Sequence, residues 1–223
     1  MSDRALNIVA CKYNSIQTRR KTYVKIQDGC NNFCAYCIVP HIRGRSKSRP
    51  LKEVLKEIQT IKKPIILTGI DLSSYEHLSD LCAQIDRPFE MSSMEVGIIN
   101  SEFLQILKAN KSFVPNFHLS LQSGSDRVLA AMNRKYTTAE YYEKTKLIRS
   151  VLPNARLTTD IICGFPTETE AEHKETIAFV KKVGFDGIHV FPFSRRPGTK
   201  AADMPQVQSG VVTRRTKELQ NIL

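Results

Sequence analysis

The chain has 223 residues, 41% hydrophobic and 25% charged, enough for one sizeable α/β domain and too few for two large ones. Its longest apolar runs, such as Ile65 to Leu67, fall far short of a membrane span. Residues 1–17 mix charged and apolar side chains without the apolar stretch of a secretion signal, so a cytoplasmic protein with no membrane partner is expected. Lys and Arg number 33 against 22 acidic residues, and this excess of +11 favours a polyanionic partner, nucleic acid, over a merely solvated surface.

In chain order, short apolar strands are predicted at 23–26, 64–67, 89–92, 117–121, 156–163 and 187–191. Amphipathic helices are predicted between them at 51–61, 77–85, 101–109, 138–151 and 168–183. This alternation is the pattern of parallel β/α units, and six strands with five helices fit a partial (β/α)6 barrel of the TIM type. A doubly wound open sheet fits the periodicity equally well. Several strands run into small or polar residues: Thr68-Gly69, Ser92-Ser93-Met94-Glu95, Gln122-Ser123-Gly124-Ser125 and Gly164-Phe165-Pro166. In β/α barrels the C-terminal strand ends form the active face, so these turns are expected to share a site. Residues 211–223 read as a basic helix.

Six cysteines in such a chain are no disulfide framework. Cys11, Cys82 and Cys163 stand alone and read as small structural apolar residues. Cys30, Cys34 and Cys37 follow directly on the first strand and must wrap one centre. A zinc site would need a fourth ligand, for which His41 has usable spacing. A ferredoxin-type cluster would need a fourth cysteine, and none lies nearby. A four-iron cluster with three protein ligands would leave one iron open to a substrate or cofactor, the arrangement the spacing favours.

The C-x3-C-x2-C spacing, with the aromatic Tyr36 before the last cysteine, resembles the signature of the radical S-adenosylmethionine (SAM) superfamily. That resemblance implies one [4Fe-4S] cluster whose open iron holds SAM, reductive cleavage of SAM, and abstraction of a substrate hydrogen atom. It also implies a reducing electron donor such as flavodoxin. From Lys21 onward the chain resembles the methylthiotransferases within that superfamily, through Gln27-Asp28-Gly29-Cys30, Leu67-Thr68-Gly69-Ile70, Leu121 to Asp126, Met132-Asn133-Arg134 and Thr159 to Ile162. The lead-in to Cys30 and His189-Val190-Phe191-Pro192-Phe193-Ser194 resemble the branch that adds a methylthio group to C2 of N6-threonylcarbamoyladenosine beside the tRNA anticodon. The isopentenyladenosine and ribosomal-protein branches are less similar. A cluster- or zinc-stabilised RNA-binding remnant without catalysis, and a radical SAM enzyme for another substrate, are the competing readings.

By position, the resemblance gives Cys30, Cys34 and Cys37 to the cluster, and Tyr36, Thr68 and Gly69 to SAM. Glu95 and Gln122 become candidates for contacts to SAM or the base. Arg43, Arg45, Arg49, Arg195 and Arg196 are expected to hold phosphates of a tRNA anticodon stem-loop, adding affinity and salt dependence rather than sequence choice. A monomer is expected. The resemblance divides the chain into an N-terminal linker remnant (1–21), a radical SAM core (22–205) and a helix (206–223) leading to an absent TRAM-type domain. The family's N-terminal domain has three further cysteines that hold a second, sulfur-handling cluster. Here only Cys11 precedes the first strand, so that cluster is not encoded and a fragment of a longer enzyme is expected. Thr167 stands where the family pattern has glycine.

Overall fold

The structure, a computed structural model, describes residues 16–18 and 20–222. Cys11 and most of the expected linker lie outside the described residues. Strand β1 (Ile16–Gln17) runs antiparallel to β2 (Thr22–Lys25). A small two-stranded ribbon, β3 (Gln27–Asp28) with β4 (Lys47–Ser48), then encloses the cysteine loop and α1 (Val39–Arg43). There follow α2 (Leu51–Thr60), β5 (Ile65–Thr68), α3 (Leu78–Gln84), β6 (Phe89–Met91), α4 (Ser101–Ala109) and β7 (Asn116–His118). The last third holds α5 (Asp126–Ala131), α6 (Thr138–Val151), β8 (Arg156–Cys163), α7 (Glu170–Val183), β9 (Gly187–Pro192) and α8 (Ser209–Gln220).

The parallel strands stand in chain order: β2 pairs β5, β5 pairs β6, β7 pairs β8, and β8 pairs β9. Between β6 and β7 the ladder thins to single bridges, Phe89 with Phe113 and Met94 with Leu119. A doubly wound sheet would reverse its order at a switch point; this one never reverses, so the open six-strand barrel is the architecture. Alternation sets its two faces. Along β8, Leu157, Thr159, Ile161 and Cys163 are buried against the helices, while Thr158, Asp160 and Ile162 line the lumen half-exposed. Register puts Lys25 and Thr68, Glu90, His118 and His189 on that lumen face as well. Most of these lumen-facing side chains are polar, Ile162 excepted, so the apolar core lies between sheet and helices and the interior is left for a ligand.

Local chemistry explains most boundaries. Thr137 with Glu140, and Thr169 with Glu172, form reciprocal capping boxes at the starts of α6 and α7. The second box starts α7 at Glu170, two residues later than predicted, and Gly184 ends it in a left-handed conformation. The fourth strand is shorter than the predicted 117–121 because its backbone changes partners: the Leu119 N–H donates to Thr158, Ser120 to Met94, and Gln122 to Asp160. The C-terminal helix starts at Ser209, two residues before the predicted 211. No helix among the described residues is long and apolar enough to cross a membrane.

Candidate functional site

The cysteine loop is held before any cluster binds. Gln27, fully buried, donates through Nε2 to the Gly29 carbonyl (2.7 Å) and Ser46 Oγ (2.9 Å), and its Oε1 accepts from the Asp71 N–H (2.9 Å). One amide thus ties the loop's entrance to the exit of β5. Gly29 has φ +71°, and a Cβ there would lie 2.1 Å from the Arg45 carbonyl oxygen, so the Gly-Cys step admits no side chain. From the other side, the Ala35 N–H donates to Met132 (2.9 Å) and Asn133 Nδ2 to the Phe33 carbonyl (2.9 Å).

Cys30, Cys34 and Cys37 are all half-buried and converge on one loop. Burial, and then the neighbouring charges, push the Cys30 thiol up to about 11; burial likewise raises Cys37. These thiols would ionise on binding a metal that stabilises the thiolate. Among the described residues, the sets whose ligand atoms all fall within 4.8 Å of one another include neither these three cysteines nor His41. His41 packs its ring edgewise on Phe33 instead, with centroids 6.1 Å apart. The three sulfurs therefore stand wider than a preformed single-ion site, a spacing that suits a larger cluster. Asp71 adds to the fit: its Oδ2 lies 3.9 Å from Cys30 Sγ and accepts from Asn32 (3.1 Å), while its Oδ1 is buried with no partner. A buried acceptor beside the cysteines suits the ammonium of an amino-acid ligand.

Arg134, which the sequence marks only as part of the Met132-Asn133-Arg134 motif, is the main charge at the site. Its side chain is 4% exposed; Nη1 donates to Cys34 Sγ (3.4 Å), and Nη2 pairs with Glu95 and reaches the Ser120 carbonyl (3.2 Å). Burial works against this charge, but Tyr136, Glu95 and Tyr36 outweigh it and hold the guanidinium protonated. Glu95, whose own pKa is raised by burial, is thus committed to Arg134 and shapes the site indirectly. With Cys34 and Asn133, this pair lines a cleft of about 100 Å³.

A second cleft, of about 220 Å³, opens over the lumen between Tyr36, Gln122, Asp160, Phe191, Phe193 and Arg196. It unites Tyr36 with Gln122, whose φ of +68° is rare for a side-chain-bearing residue and places its carbonyl to accept from the Ile162 N–H. Thr68 lies on the lumen face at the end of β5. Gly69 faces Gln27: a Cβ there would come within 2.8 Å of its Oε1.

The five arginines separate. Arg45 is exposed and lies 4.6 Å over the Phe33 ring; Arg195 and Arg196 are exposed at the end of β9. Arg43 is largely buried beside Asp28, 3.7 Å away. Arg49 corrects the phosphate-binding expectation: it is buried, donating to the Lys25 carbonyl (2.9 Å) and pairing with Glu57 (2.6 Å), so it secures β2 to α2. Cys82 and Cys163 are buried, as read from their isolation.

Comparison with known proteins follows the same lines. The threonylcarbamoyladenosine tRNA methylthiotransferase MtaB of Bacillus subtilis is 39% identical over 90% of this chain and 48% of its own length. The tRNA-2-methylthio-N(6)-dimethylallyladenosine synthase of Azobacteroides pseudotrichonymphae is 37% identical over 81% of the chain and 44% of its own length. The chain therefore spans about half the length of the curated relatives it matches. Among solved structures, the radical SAM methyltransferase TsrM from Kitasatospora setae superposes with a TM-score of 0.70 at 16% identity, over 82% of this chain and 38% of that one, a likeness of fold alone. The family model described as the radical SAM superfamily matches residues 24–180, which embrace the cysteine loop, Arg134 and the whole lining of the smaller cleft, and the chain belongs to that superfamily.

Proposed function

We propose that this chain is the catalytic core of a tRNA methylthiotransferase that acts at C2 of N6-threonylcarbamoyladenosine beside the anticodon, in the cytoplasm. The observation that carries the reading is the prearranged three-cysteine loop, with Arg134 on one sulfur and a buried unpartnered carboxylate oxygen of Asp71 beside another. Cys30, Cys34 and Cys37 would hold a [4Fe-4S] cluster, which would supply reductive cleavage of SAM and, through it, hydrogen-atom abstraction from the substrate.

The chain's own residues do the positioning. Gln27 and Asn133 fix the loop, Arg134 donates to Cys34 and stabilises negative charge on that sulfur, and Asp71 suits the SAM ammonium. Tyr36 and Gln122 wall the larger cleft where adenine rings would lie, and exposed Arg45, Arg195 and Arg196 offer phosphate contacts. The tRNA reading is further supported by the +11 charge and by the names of the relatives. The whole reaction also needs sulfur delivery and an electron donor such as flavodoxin.

Anaerobic reconstitution with iron and sulfide, followed by a SAM-cleavage assay with a strong reductant, is the test. Wild type should yield 5′-deoxyadenosine, and Cys34→Ala should lose it by several orders of magnitude, near the uncatalysed background. Intact SAM with wild type, or zinc filling the site, would sink the reading in favour of an RNA-binding role.

A further inference from the structure

Deeper in the lumen than the cluster loop lies a group of side chains that the chemistry above does not use. Asp160 of β8 accepts from two imidazoles: its Oδ2 is 3.0 Å from His118 Nε2 on β7, and its Oδ1 is 3.1 Å from His189 Nδ1 on β9. The two rings stack with centroids 5.4 Å apart, and Thr158 Oγ1 holds the other nitrogen of His118 at 2.9 Å. All but one of the polar atoms of this relay are paired. His189 is 64% exposed on its side chain, and its Nε2 has no partner among the described residues.

The wall above the relay is of opposite character. Ile162 and Phe191 are register partners two residues beyond Asp160 and His189 on the same face, and they line the larger cleft with Phe193. A group entering from the mouth meets an apolar ring first and a hydrogen-bonding floor beneath it. An alkyl substituent could fill the ring but would leave the floor unsatisfied. A substituent with hydroxyl, N–H and carboxylate groups matches both the neutral His189 ring, which accepts at Nε2, and the charged ring, which donates there.

We infer that the His118–Asp160–His189 relay is the specificity site for the substrate base, with His189 Nε2 hydrogen-bonding the polar, anionic N6 substituent of the adenosine. Asp160 and His118 act as positioning residues that fix the His189 ring. The inference rests on the proposed tRNA substrate and deepens it. Once a bound base covers His189, an analogue that cannot hydrogen-bond cuts its Nε2 off from water with no partner, and a site of that kind discriminates against the analogue.

The test uses anticodon stem-loop RNAs that differ only in the base beside the anticodon: N6-threonylcarbamoyladenosine, isopentenyladenosine or adenosine. Binding to reconstituted protein in the presence of SAM is read by fluorescence anisotropy for wild type, His189→Leu and His189→Gln. Wild type should prefer the threonylcarbamoyl RNA over the isopentenyl RNA by about tenfold or more. His189→Leu should bring that ratio close to one while affinity for the adenosine RNA holds, and His189→Gln should restore part of it. A wild type that fails to discriminate, or a His189→Leu variant that keeps the preference, overturns the assignment. So does a stoichiometric divalent metal, beyond the cluster iron, that wild type retains and His189→Leu loses, since the three ligand atoms lie within 4.8 Å of one another. SAM cleavage by wild type is scored separately: its loss would refute the radical reading, while the binding ratios still decide the role of His189.

Discussion

Thr167 occupies a conformation that β-branched residues avoid, with φ +68°, held by Arg127 Nη2 on its carbonyl (2.8 Å) and by its own N–H on Pro205 (3.2 Å). Thr167→Gly should relieve that strain, less the larger entropy glycine loses on folding, for a net gain of about 0.5–1 kcal/mol. Thermal unfolding should then shift upward by roughly 2 °C; a downward shift would mean the threonine contacts outweigh the strain. The departure from the family pattern was visible in the sequence, but its backbone angle was not. The same holds at the cluster: the three cysteines announce themselves by spacing, whereas Arg134 lies 100 positions from Cys34 in the chain. Gln27 likewise reads as part of a motif in the sequence, and only its bonds to Gly29, Ser46 and Asp71 explain why an amide stands there.

At the scale of the element, α7 is anchored by one acidic residue serving two partners. Glu172 closes the capping box with Thr169 and pairs with Arg127, whose Nη2 is 2.7 Å from its carboxylate. The hydrogen bond from Arg127, followed by those from Thr169, outweighs burial and holds the carboxyl down at about 2. Because the folded value is depressed below the ordinary 4.5, the stabilisation is present above pH 4.5 and is lost as pH falls toward 2. Arg127→Ala should therefore raise the acid-unfolding midpoint, followed by far-UV circular dichroism, and narrow its gap to Glu172→Gln; an unmoved midpoint would mean that the capping box alone sets the shift. Elements were the most legible level of the sequence, because period-2 and period-3.6 patterns are written locally. What escaped was short: the β3–β4 ribbon and α1 carry too few residues for a period, and the break after His118 depends on a partner strand from elsewhere in the chain.

For the molecule as a whole, the +11 charge and its placement make a further prediction. Arg45→Ala and Arg195→Ala should each weaken binding of an anticodon stem-loop and reduce the slope of log K against log salt by about one. Arg49→Ala should leave the slope alone and lower stability instead, since its guanidinium is spent on Glu57 and the Lys25 carbonyl. Fluorescence titrations over a salt series separate the two classes, and equal slopes for all three variants would refute the division. The partial barrel was legible from strand count and strand-end chemistry, although periodicity alone left the doubly wound alternative open; strand order in space was needed to decide. Among the described residues that order leaves β9 paired only to β8, while β1 covers the outer side of β2. The wall is thus a horseshoe, and its gap adjoins the strand that carries His189 and Phe191. A polymer can lie along such a gap and send in a single nucleotide from the side, without being threaded over the rim as a closed ring of strands would require.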